Sequence, residues 1–293
     1  MVFLRGIYSM YASTQLTKNE LEGYLKDLGK ELKKEYGKHA DIELIIVGGA
    51  AIALNHEFRE TPRDIDGILA GGTASIKDAV YRVADKNNLS TDWLNFDFRN
   101  TTSYSSKLVG ISKHYKTFGN VLEVRIVDDE YLVAMKLQSF RPYKYDRSDI
   151  IGLISENPNI TVENVKNACI FLYGSETAVS PDAWKYLNDV ISGKLEYKTV
   201  AEEEQLNKDT LVDFGKDYEG VLNENSVESI LTALKEKQKE CVNVGEQDIA
   251  EEEKYTVSQK RELGSTDIRD LLDERTMDEE ETGTDDCSDL PGK

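Results

Sequence analysis

Asp64-Ile65-Asp66 follows Val47-Gly48-Gly49-Ala50 at short range, and together the two segments carry residue types suited to a metal and a phosphate chain. On an extended strand side chains alternate, so Asp64 and Asp66 share a face with Cα atoms roughly 6.5 to 7 Å apart, close enough to converge on one or two metal ions. Ile65 points the other way, into a core. Two like charges on an otherwise apolar strand repel each other, and drawing them out of water is costly unless a cation compensates. Mg2+ is the expected cation, because it takes one or two carboxylates plus phosphate oxygens, and Mn2+ is the substitute. Gly48 and Gly49 supply the other half: without a Cβ the backbone can approach a nucleoside triphosphate, and a helix opening there presents free N–H groups to anionic oxygens. Asp-x-Asp and Gly-Gly are each commonplace; their order and proximity are what point to phosphate chemistry.

A strand must end at the glycines and a second must carry the acids. Glu43-Leu-Ile-Ile-Val47 is a short apolar run that stops at Gly48, and residues 50–54 read as a short helix. Pro62 breaks the chain, after which residues 64–69 alternate polar and apolar up to Gly71-Gly72, a strand signature. Upstream, Thr17 and Glu20 have capping-box spacing, and Leu21, Leu25, Leu28 and Leu32 recur on one face, so the spacing predicts a helix over 17–38. A second amphipathic helix turns Ile76, Val80, Val83 and Ala84 inward. Residues 93–98 and 121–127 read as strands, the latter alternating Leu122, Val124 and Ile126 with Glu123 and Arg125. From Asp129 the pattern turns helical through Leu132, Met135, Lys136 and Phe140, and helical periods recur at 149–155, 162–172 and 182–191. The expected fold class is α+β, a small mixed sheet flanked by helices and followed by a helical region.

The acid pair is accompanied by Arg59 and Thr61 before it, Trp93-Leu-Asn95 after it, and the helical block Lys136-Leu-Gln-Ser-Phe-Arg141 followed by Asp146-Arg-Ser-Asp149. Over residues 44 to 155 this pattern resembles the DNA polymerase beta-type nucleotidyltransferase superfamily, and within it the nucleotidyltransferase toxins of the AbiEii kind and their relatives. Ser139 stands where those relatives carry Ala, and Tyr145 where a basic residue often precedes the first Asp. The resemblance implies that Asp64 and Asp66 hold the metal and that Lys136 directs its charge at the triphosphate. It also implies that an acid at Asp146 or Asp149 serves beside the metal pair, and that Gly48, Gly49, Arg59, Thr61 and Arg141 contribute to nucleotide binding. Independently, a lysine set among Leu132, Met135 and Phe140 needs an anionic partner. Arg141 can pair with Asp146 or Asp149, or reach phosphate. Glu123 is the rival third carboxylate, since the wider superfamily places its third acid on such a strand; the sequence leaves that choice open. The implied reaction moves a nucleoside monophosphate from a nucleoside triphosphate to an acceptor hydroxyl. A tRNA 3′ end or a protein hydroxyl is the implied acceptor, within a toxin–antitoxin pair whose cognate antitoxin would be a partner. The alternatives are a non-catalytic, antitoxin-like nucleotide- or partner-binding module and transfer onto a small molecule.

The formal net charge of −19 is unevenly spread: residues 194–293 hold 29 acidic and 13 basic side chains, leaving 26 and 23 in the preceding part. The runs Glu202-Glu-Glu204, Glu251-Glu-Glu253 and Asp278-Glu-Glu-Glu281 lie in a stretch poor in apolar side chains, which reads as a largely disordered acidic tail over 193–293. Within it, Val227, Ile230, Leu231 and Leu234 have the spacing of a short amphipathic helix, and Ile268, Leu271 and Leu272 of another. The expected organisation is an N-terminal lead over 1–16, a catalytic core over 17–128, its helical part over 129–192, and the tail. Lys107, Lys113, His114 and Lys116 form the compact basic cluster available to RNA, which an acidic tail could mimic. Cys169, Cys241 and Cys287 are widely spaced and no charged, apolar leader precedes the chain, so a cytoplasmic setting without disulfides is expected. No apolar run reaches the roughly 18 residues that span a bilayer. His39, His56 and His114 are scattered without partners at metal or triad spacing, and Tyr81, Trp93, Tyr104 and Tyr115 read first as packing aromatics rather than base-stacking ones.

Overall fold

The leucines after Thr17 form helix α1, Lys18–Tyr36, in the computed structural model, which describes residues 17–59, 64–70, 75–218, 220–223 and 226–237. Thr17 and Glu20 make the expected capping box, and Gly37 ends the helix at φ 82°. Leu21, Leu25, Leu28 and Leu32 are fully buried, each worth about 1.5–3 kcal/mol of burial.

The sheet has five strands in the order β3-β2-β1-β5-β4, formed by β1 (Ile42–Val47), β2 (Ile65–Ala70), β3 (Leu94–Asn95), β4 (Lys113–Phe118) and β5 (Leu122–Ile126). It is mixed: β1 runs antiparallel to β2 and parallel to β5, β2 parallel to β3, and β4 antiparallel to β5. β1 leads straight into α2, Gly48–Asn55, and α3, Lys77–Asn87, connects β2 to β3. α3 packs on α1, which also lies against β4 and β5, while α2 packs on β1 and β2. A short α4, Leu108–Ile111, precedes β4. Then come α5 (Asp129–Ser139), α6 (Asp146–Glu156), α7 (Val162–Tyr173) and α8 (Pro181–Ile191). The α+β architecture therefore matches the sequence pattern. Among the described residues no helix is long and apolar enough to cross a membrane.

Two readings need correction, and one strand had no reading at all. The strand expected over 93–98 is only two residues long, because the Asn95 side chain accepts from the Asp97 amide at 3.3 Å and turns the chain into a 3-10 segment, Asp97–Asn100. β4 gave no strand signal because it is an edge strand exposed over most of its length, closed onto β5 by a turn in which Gly119 and Asn120 both take positive φ, 63° and 61°. The tail does not begin at 193. Residues Tyr197–Asp217 form helix α9, packed on α6, and its buried residues Glu204, Asn207 and Leu211 follow helical spacing with polar side chains that a search for apolar periodicity passes over. The described residues up to Leu231 make one compact unit, with Val227 and Leu231 buried as their spacing predicted. The described part of the second unit, residues 232–237, is helical. The later acidic runs, Ile268, Leu271, Leu272, Cys241 and Cys287 lie outside the described residues; Cys169 is buried and free.

Candidate active site

Two register pairs assemble the acids. Val47, the last residue of β1, pairs with Asp66, and Asp66 pairs on its other side with Asn95 of β3. Gly48 follows at φ 63°, a value that suits glycine, and a Cβ there would sit 3.4 Å from Asp66 Oδ2. The Asp66 carboxylate therefore lies directly against the turn that opens α2. Asp64, just ahead of β2 and exposed, has its Oδ2 3.5 Å from Asn95 Nδ2, so Asn95 sits between the two acids. Burial raises the pKa of Asp66 and the charge of Asp64 raises it further, while Asn95, Lys144 and Arg141 pull it down less strongly. The pair is short of compensating positive charge.

Beside it lies a network in which lysine and arginine meet the aspartates directly, with Asp149 Oδ1 alone of the carboxylate oxygens lacking a hydrogen-bond partner. Lys136, on α5, is buried, with Nζ 2.9 Å from Asp146 Oδ1 and 2.7 Å from Asp149 Oδ2. Arg141 donates to Asp146 through its backbone amide at 3.1 Å, Nε at 2.8 Å and Nη2 at 3.3 Å. Burial alone would push the Asp146 carboxyl up, but Arg141 and Lys136 outweigh it and hold it well below the ordinary carboxylate range. Arg59 donates to Asp149, and its guanidinium occupies the space over Gly49, where a Cβ would come within 2.6–2.7 Å of it. The bare Cα of Gly49 thus accommodates Arg59. Arg59 also lies 5.8 Å from the centre of the Tyr145 ring.

The predicted residues divide accordingly. Asp64, Asp66 and Gly48 come together, and Gly49, Arg59, Lys136, Arg141, Asp146 and Asp149 form the adjoining ion network. Lys136 has its anionic partners within the protein, and Arg141 takes the structural option of pairing with Asp146. Glu123 does not join the acids: it pairs with Glu43, four residues ahead of Val47, which places it roughly 13 Å along the sheet and two strand spacings away from Asp66. There it accepts from Arg125 at 2.9 Å. Thr61 lies outside the described residues. Among the described residues no group of three acidic, His or Cys side chains is arranged to hold a metal ion.

Lys144 was missed by sequence reasoning. It sits in the irregular segment between α5 and α6, where no periodicity marks it. Burial and Arg141 lower its pKa, while Asp64, Asp66 and Asp146 act to raise it, so it stands in the field of the acid pair. His56 was also passed over: its Nε2 lies 2.9 Å from Asp129 Oδ1 and its Nδ1 2.7 Å from Glu156 Oε2. The basic cluster is already engaged. Lys113 pairs with Asp128 at 2.5 Å, Lys116 with Glu22 at 2.5 Å, His114 lies 3.5 Å from Glu123, and Lys107 donates to the Phe171 carbonyl. Of the aromatics, Trp93 is core, its Nε1 donating to the Val80 carbonyl at 3.1 Å, while Tyr81 is exposed.

The site is thus a mixed sheet in which a strand–glycine–helix turn abuts a neighbouring strand with one acid on it and one just ahead of it. The family model described as "Nucleotidyltransferase of unknown function (DUF6036)" matches residues 23–193, more than half of the chain, and the chain belongs to that family. The match runs from within α1 to just past α8 and stops before α9. No curated protein and no solved structure matches the chain.

Proposed function

We propose that the chain transfers a nucleoside monophosphate from a nucleoside triphosphate to an acceptor hydroxyl, with Asp64 and Asp66 holding Mg2+ or Mn2+. The observation that carries this reading is the acid pair itself: two carboxylates against the Gly48 turn, one exposed and one driven toward protonation by burial and by its neighbour. A divalent ion at that pair, when bound, screens the α-phosphate and lowers the pKa of the attacking hydroxyl. Asn95 orients Asp64, and Lys144 supplies positive charge for the terminal phosphates as pyrophosphate leaves, while Arg141, paired with Asp146, adds only its longer-range field. Lys136, Asp146, Asp149 and Arg59 hold the Arg141 segment in place from behind.

By its resemblance to AbiEii-type toxins, the acceptor is a tRNA 3′ end or a protein hydroxyl, and an antitoxin is the expected protein partner. Lys113, His114 and Lys116 each face a carboxylate but stay at least half exposed, so the cluster keeps basic surface that an RNA acceptor could meet in exchange for weak surface pairs. The test is to incubate the full chain with each labelled triphosphate, Mg2+ and, in turn, total tRNA, protein and small hydroxyl acceptors. Label should move onto one acceptor class and be abolished by Asp64→Ala. Triphosphate binding without label transfer to any acceptor would instead support a non-catalytic nucleotide-binding module. A role for the acidic tail is properly tested by truncation after residue 237, since removal from 193 would take α9 with it.

A further inference from the structure

The segment that carries Arg141 and Lys144 is held from outside the family match. It leaves α5 through Phe140 at φ 42° and enters α6 through Tyr145 at φ 58°, two non-glycine residues in the left-handed region within six positions. The Tyr145 side chain does not cap α6, so the helix opens with backbone amides that need an acceptor. α9 provides it. Glu204, buried at 2 % exposure, accepts from the Arg147 amide at 2.9 Å, the Ser148 amide at 3.1 Å and the Ser148 hydroxyl at 2.6 Å. Within the next turn, Gln205 accepts from the Tyr145 hydroxyl and Asn207 donates to the Pro142 carbonyl at 2.7 Å. One helix thus grips the segment at Pro142, Tyr145, Arg147 and Ser148, on both sides of Lys144.

We propose that α9 is a clamp that sets the position of Arg141 and Lys144 relative to Asp64 and Asp66, with Glu204 as its principal positioning residue for the triphosphate. The inference rests on the nucleotidyl-transfer reading above and adds to it a helix that the matched family span does not contain. A carboxylate without a lysine or arginine among those contacts is an expensive group to bury, and burial pushes its pKa up. Its three donors all belong to the first turn of α6, the turn that follows Lys144. A helix serving only to cover apolar surface would present leucines there.

The test uses the full chain and compares Glu204→Ala, Glu204→Gln and Leu206→Ala, the last an exposed position on the same helix. Dissociation constants for each of the four triphosphates with Mg2+ are measured by calorimetry, and melting temperatures by circular dichroism. The clamp predicts that E204A weakens the preferred triphosphate by at least about tenfold, because losing one charge-assisted contact to a phosphate is worth roughly 10- to 100-fold in affinity. E204Q, which keeps one acceptor for the Arg147 amide, should lose less in the same direction, and L206A should match the unaltered chain. Should E204A not fold, E204Q still carries the comparison. Variants that melt lower yet bind the triphosphate as tightly as the unaltered chain would make Glu204 a purely structural cap and overturn the proposal. An unaltered chain that binds no triphosphate would instead overturn the functional reading, and the clamp with it.

Discussion

Replacing Lys136 by methionine separates a structural lysine from a phosphate-facing one. The side chain keeps its length, and only the charge and its donors go. Asp146 would retain its three bonds from Arg141, and Asp149 would retain Arg59. Two carboxylates with no solvent exposure, now served by three cations, would share two. Removing one partner of a buried pair costs about 3–5 kcal/mol, and the surviving arginines favour the lower end, about 3 kcal/mol. For a folded region of this size each kcal/mol moves Tm by about 2–4 °C, so K136M should melt roughly 6–12 °C below the unaltered chain. The assay is thermal unfolding of the full chain followed by circular dichroism, with Asp149→Asn and the double variant alongside. In the K136M background D149N removes a carboxylate that has lost a partner. The double variant should therefore be more stable than additivity allows, by about 0.5–3 kcal/mol. The reasoning is refuted if K136M melts within about 2 °C of the unaltered chain while triphosphate binding collapses, for the lysine would then face the ligand rather than the two aspartates.

Asp66→Asn relieves a like-charge pair that burial makes costly, so without metal it should raise the melting temperature while lowering any transferase activity by at least about a hundredfold; a variant that is both less stable and active would contradict both parts. His56 gives a pH signature. Burial pushes its imidazole down, but Asp129 and Glu156, one at each ring nitrogen, outweigh that and raise it above 6.5. A raised folded pKa means that the stabilisation is fully present below the unfolded value and is lost as pH rises through the folded one. Urea midpoints of the unaltered chain and His56→Gln should accordingly differ most near pH 6 and converge on the alkaline side, and a gap independent of pH would count against the bridge. Gly29→Ala would set a Cβ 2.7 Å from the Phe118 carbonyl oxygen, a backbone atom of the β4–β5 hairpin that cannot swing aside; a loss of about 1–3 kcal/mol in urea unfolding is expected, and an unchanged midpoint would show that α1 can lift off the hairpin.

The fold was legible wherever apolar period and punctuation agreed. Leu21 to Leu32, the stop at Gly48 and the alternation around Leu122 to Ile126 each had one reading, because a single buried face dictated them. β4 was not, since an edge strand with lysine and histidine on it has no buried face to impose a period. Of the site, Asp64, Asp66 and Gly48 were legible because their chemistry and their strand spacing coincide. The partners of Lys136 were not: its need for an anion was, but Asp146 and Asp149 satisfy it from a different helix. Glu123 looked equivalent to them on alternation alone. Only the strand register shows that it belongs to the other end of the sheet. Lys144 and Glu204 are recognisable solely by what stands opposite them, and that is tertiary information.

The two groups of charge are built on different terms. Asp146 and Asp149 are paired with Lys136, Arg141 and Arg59, all contributed by the protein, so those charges go mainly into fixing α5, α6 and the segment between them, and only Asp149 Oδ1 is left without a hydrogen-bond partner. Asp64 and Asp66 are left with Asn95 and the more distant fields of Lys144 and Arg141. A sequence shaped for stability alone has a simple remedy, an uncharged side chain at one of the two positions, and this sequence does not take it. Local conflict that persists inside an otherwise self-consistent domain is characteristic of a functional site, because a ligand that brings positive charge recovers there what the unbound protein forgoes. The paired network and the uncompensated acids are therefore complementary under the proposed function: the first makes a wall rigid enough for the second to keep its charge conflict in the unbound protein.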